Sequence, residues 1–192
     1  ITYDRDFVNF GVEMAGRYDY TFRNIAKLSN TIPRIPLYYK DKFSNFSFLG
    51  RIQSRLSTKW QVMSEIALRQ RPPEINEVYS FGLHQGVSGI EEGNINLKKE
   101  SGIKSSMHLR GKLTKAFHMD VRAYAHFFDG FIYLLPHQEP RLTIRGAFPV
   151  FKYEQCDARL VGGDIVFKLN FSKRWNLSTS WAYVHGSNLT DT

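Results

Sequence analysis

Polar and apolar residues alternate with a period of two along most of this chain. From Val8 the even positions read Val8, Phe10, Val12, Met14, Gly16, Tyr18, Tyr20 and Phe22. The odd positions between them carry Asn9, Gly11, Glu13, Ala15, Arg17, Asp19 and Thr21. Successive side chains of a strand point to opposite faces, so this alternation makes one face apolar and the other polar. The run lasts about 15 residues, where ordinary strands have a mode near 5–6. The same alternation recurs over residues 46–53, 60–69, 103–113, 117–127, 161–171 and 175–183. It predicts seven long strands, and none of these windows carries a helical period.

The connections carry a second pattern. Residues 56–59, 112–115 and 172–174 are short and turn-like, whereas 23–42, 70–97 and 135–147 are expected to be long connections. Short and long connections therefore alternate, which places every long one at the same end of the sheet. A transmembrane barrel is built this way, with short periplasmic turns and longer outer loops. Apolar faces would then meet lipid and polar faces a wet lumen. A soluble β-sandwich binding module is the rival reading, and it would bury Phe10, Phe48 and Phe127 instead.

Composition narrows the choice. Of 192 residues, 42% are hydrophobic and 15% aromatic, too apolar for a disordered chain and suited to strands. The formal charge of +8 is spread over single positions such as Lys104, Arg110, Lys112, Arg122 and Lys168. That is a solvated sheet face, with no dense run of the kind that binds nucleic acid. One cysteine, Cys156, excludes an internal disulfide and a Cys-based zinc site. No segment is long and apolar enough for a spanning helix, which leaves a barrel open.

The loop after residue 70 holds a motif. Pro72 and Pro73 remove two ladder donors and end the strand. The segment continues through Glu77 and Tyr79, then Gly93-Asn94-Ile95-Asn96-Leu97-Lys98-Lys99-Glu100, before a new alternating strand. This resembles a loop of TonB-dependent outer-membrane receptors: Arg-x-Pro, then Glu-Leu-Tyr, then Gly-Asn-Pro-Asn-Leu-Lys-Pro-Glu. Arg71, Pro73, Glu77, Tyr79, Gly93, Asn94, Asn96, Leu97, Lys98 and Glu100 fit. Ile95 and Lys99 replace the usual prolines. A weaker match runs from Phe148-Pro149 to Gly162-Gly163.

The resemblance implies an all-β, antiparallel, up-and-down transmembrane barrel of about 22 strands, with a plug inside the lumen. It implies the TonB energy-transducing complex as partner, acting through a plug and TonB box that no residue here matches. Seven strands cannot close such a barrel, so residues 1–192 are read as part of the barrel domain, with the plug and terminal strands absent. The expected function is uptake of a scarce ligand, an iron complex such as a ferric siderophore or haem, across a bacterial outer membrane. Outer-membrane lipid is the expected surroundings. A passive channel or adhesin shares the barrel but needs no plug.

Candidate ligand residues follow. His84 lies between the halves of the motif. In the haem-uptake branch a histidine of this loop is an axial ligand; otherwise His84 is a hydrogen-bonding loop residue. Gln85, Arg71 and Arg145 are further ligand-binding candidates, since guanidinium groups bind carboxylates in pairs. His118 and His126 share a face but lie roughly 26 Å apart along the strand, too far for one metal ion. No metal site, cofactor or catalytic arrangement is expected. Asp120 and Asp129, and Glu74 and Glu77, are acid pairs without a pocket or nucleophile.

Overall fold

In a computed structural model the chain forms one large antiparallel sheet. The structure describes residues 2–6, 10–30, 32–84, 86, 88–172 and 174–190, with only the backbone for 4–6. Val8, Asn9, Lys173 and the candidate Gln85 lie outside the described residues.

The predicted long strands are β2 (Phe10–Leu28), β3 (Pro36–Arg55), β4 (Trp60–Arg71), β7 (Glu100–Lys112), β8 (Phe117–Pro136), β11 (Val150–Asn170) and β12 (Asn176–Asn188). Each pairs antiparallel with the next in that order. A short strand, β1 (Thr2–Asp6), pairs with the start of β2. Between β4 and β7 lie α1 (Ile75–Tyr79), β5 (Phe81–His84) and β6 (Gly89–Glu92). Between β8 and β11 lies a small separate hairpin, β9 (Arg141–Thr143) with β10 (Gly146–Phe148). The long strands run from 12 residues in β4 to 21 in β11. A tilted span needs about 9–11, so the longest extend well beyond a bilayer core.

Register sorts the side chains as the alternation requires. On one face, Glu13 stands opposite Arg51, Arg51 opposite Glu65, Glu65 opposite Ser106, and Ser106 opposite Tyr124. On the other, Met14 stands opposite Gly50, Gly50 opposite Ile66, Ile66 opposite Ser105, and Ser105 opposite Ala125. Among the described residues, nothing covers this second face. Phe10, Phe48 and Phe127 are 43%, 43% and 49% exposed. A sandwich would have buried them against a second sheet. A continuous exposed apolar surface of this size is what a lipid-facing wall presents.

The three short turns are built alike. Leu56 N–H donates to the Trp60 carbonyl at 3.0 Å, Leu113 N–H to Phe117 at 3.0 Å, and Phe171 N–H to Trp175 at 3.1 Å. In each, a hydroxyl in the next position accepts backbone N–H groups: Ser57 from Lys59 and Trp60, Thr114 from Ala116 and Phe117, Ser172 from Arg174. Hydroxyl-to-backbone bonds of this type favour turns. Trp60 and Phe117 fall on the apolar face, and Phe117 stacks on Phe167 at 5.6 Å.

One expectation needs correction. Residues 23–42 are not one long connection. β2 runs to Leu28, β3 starts at Pro36, and Leu28 pairs with Pro36. Only residues 29–35 connect them. Lys40, Lys42 and Asn24 occupy positions on the otherwise apolar face, so the polar–apolar contrast fades although the ladder continues. The other two long connections stand, and all three lie at the end opposite the short turns.

Candidate functional site

The family motif forms a strap that leaves β4, crosses the polar face and joins the sheet again at β11. Pro72 and Pro73 stop the β4 ladder, and Pro73 is fully buried. Its carbonyl accepts a bond from the Arg23 guanidinium at 2.6 Å. A single helical turn, α1, follows. Glu77 in that turn accepts the Glu74 N–H at 2.7 Å, satisfying a donor that the helix start leaves free.

Arg71 holds both ends of the strap. Its guanidinium meets Glu77 at 2.9 Å and Glu100 at 3.1 Å, and Glu100 also accepts the Ile132 N–H at 3.0 Å. Both carboxylates are mostly buried. Any ligand contact by Arg71 would have to displace these pairs.

Tyr79 points back to the β2–β3 ribbon. Its hydroxyl donates to Asp41 at 2.9 Å, and its ring lies 4.9 Å from that of Tyr39. Burial, then the Asp41 carboxylate, push the phenol up to about 12. Val78, Tyr79, Leu97 and Ile132 form the main buried cluster, with Ile25, Tyr39 and Tyr153 packed on it. The core of this molecule therefore sits under the strap, not between sheets.

The return leg explains the remaining motif positions. A Cβ on Gly93 would come within 2.5 Å of the Val78 backbone, so only glycine lets the chain pass α1 here. Asn94 Nδ2 donates to the Tyr153 carbonyl at 3.1 Å, and its Oδ1 accepts the Asn96 N–H at 3.0 Å. Lys98 exchanges two bonds with the Gln155 side chain, at 2.8 and 2.9 Å. None of these contacts needs a proline at 95 or 99.

His84 ends β5, largely exposed, with Nδ1 3.2 Å from the buried Glu91 carboxylate. Tyr153 also donates to Glu91, at 3.4 Å; burial and the Glu91 charge raise its phenol above the ordinary value. β6 pairs in parallel with β11, Val150 opposite Ile90 and Lys152 opposite Glu92. Arg145 is exposed in the turn of the β9–β10 hairpin, its N–H bonded to Thr143 Oγ1 at 3.1 Å. The structure brings His84 onto the β11 side of the strap and leaves Arg71 at its root, so the sequence candidates do not form one cluster.

Sequence reasoning missed a different group. Arg141 pairs with Glu92 at 2.5 Å and also lies over the Phe81 ring, and Lys27 approaches the same ring from β2. These contacts join the strap, the β9–β10 hairpin and the end of β2. Beside them a cavity of about 460 Å³ is lined by residues that include Lys27, Asn30, Glu92, Asn94 and Lys152. Only long-range pairing brings these residues together, so no local signal marks them. Among the described residues, no group of three or more His, Cys, Asp or Glu could hold a metal ion.

On the polar face, Arg51 bridges Glu13 at 2.6 Å and Glu65 at 2.7 Å. His108, buried, meets Asp120 at 2.5 Å, and Asp120 also accepts from Arg110 at 2.9 Å. His118 and His126 occupy separate rows of this face, opposite Lys112 and Lys104.

This wall, strap and loop arrangement has the fold of the barrel of TonB-dependent receptors. No family model matches the sequence, and no curated protein is significantly similar to it. Solved structures do match. The copper transporter OprC is similar over 95% of this chain and 27% of its own, at a TM-score of 0.73 and 15% identity. A double mutant of the Serratia marcescens hemophore receptor HasR, in complex with its hemophore HasA and heme, is similar over 94% of this chain and 32% of its own, at 0.68 and 13%. The siderophore receptor PirA from Pseudomonas aeruginosa is similar over 93% of this chain and 35% of its own, at 0.60 and 12%. The chain thus spans about a third of the proteins it resembles.

Proposed function

We propose that this chain is part of the barrel of a TonB-dependent receptor of a bacterial outer membrane, taking up a scarce metal complex, specifically a ferric siderophore or haem. One observation carries the reading: a single-layered wall, apolar and uncovered on one side, polar and charged on the other, with all long connections at one end. Lipid accounts for the first side and a water-filled lumen for the second. The likeness to the copper, hemophore and siderophore proteins supports the same reading. The ligand contacts belong to the loop end, at His84, Arg145 and the Phe81–Arg141 group. TonB would act through a plug and TonB box carried elsewhere in the receptor.

The test is growth of a strain that depends on the intact receptor, supplied with one iron source at a time. Disrupting the gene should abolish growth on one iron complex and spare the others. Unchanged growth on every source would refute uptake. His84→Ala should abolish growth on haem alone if the imidazole ligates haem; full growth would remove that assignment.

A further inference from the structure

Cations that stand singly in the sequence are gathered by the sheet at its short-turn end. Residues 54–61, 110–119 and 168–176 each run through one short turn. They hold two, three and three Lys or Arg and no Asp or Glu. The strap at the other end differs: residues 70–100 hold three cations and five acids. A rim of one sign is therefore a property of the short turns, not of every connection.

In each turn a cation stands between the hydroxyl that closes the bend and the aromatic residue that leads into the next strand. Lys59 lies between Ser57 and Trp60, Lys115 between Thr114 and Phe117, and Arg174 between Ser172 and Trp175. All three cations are exposed. Their backbone is fixed: Ser57 accepts the Lys59 N–H and Ser172 the Arg174 N–H, each at 3.2 Å. Thr114 accepts the N–H of Ala116, next to Lys115, also at 3.2 Å. The aromatic residues belong to the apolar face. Trp60 stands opposite Gly111, and its ring lies where a Cβ on Gly111 would stand. Phe117 stands opposite Leu169, Leu169 opposite Leu177, and Trp175 is two residues before Leu177 on the same side. Two strands separate one short turn from the next, roughly 10 Å along the rim.

We infer that this rim docks on anionic phospholipid headgroups of the periplasmic leaflet, with Lys59, Lys115 and Arg174 taking the phosphates and Trp60, Phe117 and Trp175 lying where headgroup meets hydrocarbon. Aromatic side chains favour that level of a bilayer. A cation one or two residues further on reaches the phosphates, and its charge draws acidic lipid to it. A soluble acidic partner would complement the charges alone. Only lipid also accounts for an aromatic residue of the apolar face beside every one of these cations. The inference rests on the barrel reading, which sets the apolar face in a bilayer, and adds to it the class of lipid that holds one end of the wall.

The experiment is native mass spectrometry of the complete receptor, released from detergent micelles that hold equal amounts of phosphatidylglycerol and phosphatidylcholine. The wild type should retain phosphatidylglycerol over phosphatidylcholine by about fivefold. The Lys59→Gln/Lys115→Gln/Arg174→Gln variant should lose most of that excess while retaining as much phosphatidylcholine as before. Arg17→Gln, on the polar face where Arg17 pairs with Asp19, should behave like the wild type. Heat-modifiable migration on gels checks that each barrel is folded. If the triple variant does not fold, Lys59→Gln alone should still lower the phosphatidylglycerol excess. Equal retention of the two lipids by the wild type, or the same excess in wild type and triple variant, overturns the inference. Tighter binding of soluble poly-L-glutamate than of phosphatidylglycerol would assign the rim to an acidic protein and overturn it as well. A receptor that keeps the lipid preference yet supports growth on no iron source would sink the uptake reading and leave the rim standing.

Discussion

At the scale of single residues, Tyr79 gives the sharpest expectation. Its phenol is ordinarily near 10.0 and is pushed up to about 12 here. The folded state therefore keeps the proton longer than the unfolded chain. The stability contributed by the Tyr79–Asp41 bond is complete below pH 10.0 and is lost as pH rises from there towards 12. Titrating tyrosinate absorbance of the complete protein should reveal a late component that is lost in Tyr79→Phe and moves back towards the ordinary range in Asp41→Asn. An unchanged titration in both variants would contradict the assignment. The motif letters Arg71, Pro73, Glu77, Tyr79, Gly93 and Glu100 were legible in the sequence as a group. Their contacts were not, because Asp41 lies 38 residues from Tyr79 and Glu100 lies 29 from Arg71.

Among the elements, β8 and β11 show how a local irregularity is placed. The pairing shifts between Cys156 and Ala158, where Asp129 and Gly130 on β8 stand against Asp157. Gly130 has φ +67, donates to Asp157 at 3.1 Å and accepts from Gln155 at 2.9 Å. Gly130→Val would place a β-branched residue in the left-handed region, at a cost of about 1–3 kcal/mol. Gly130→Asn should be tolerated better. Urea unfolding midpoints in lipid vesicles compare the two; equal midpoints would show that the bulge does not depend on glycine. The alternation marked the long strands because their two faces carry opposite chemistry, which the proposed barrel assigns to lipid on one side and water on the other. The extensions of β2 and β3 lose the signal, with Asn24, Lys40 and Lys42 on the otherwise apolar face, as the proposed barrel expects where a strand rises above lipid and meets water on both sides. β5, β6, β9 and β10, of three or four residues each, are too short for any period to show.

For the whole molecule, the two faces should tolerate charge very differently. Ile66 sits on the apolar face, between Gly50 and Ser105 in register; Ser106 sits on the polar face opposite Glu65. Ile66→Arg should cost about 2–4 kcal/mol in a bilayer if it lies near the midplane. Ser106→Arg should stay within about 0.5 kcal/mol. Reversible unfolding from vesicles measures both, and an Ile66→Arg barrel as stable as the wild type would show that this face does not meet hydrocarbon. The architecture was readable because turn length and face polarity are both periodic. Ligand identity was not, since it depends on side chains from several loops whose meeting point is set only by the assembled sheet.

The three hydroxyl-closed turns have a consequence for how such walls arise. Leu-Ser-Thr-Lys-Trp, Leu-Thr-Lys-Ala-Phe and Phe-Ser-Lys-Arg-Trp are variants of one five-residue phrase, each closing its own bend with its own side chain. A hairpin carrying that phrase brings its reversal with it. Duplicating or deleting one would change the circumference by two strands while leaving every neighbouring bend intact, a route by which barrels of different bore keep an even count.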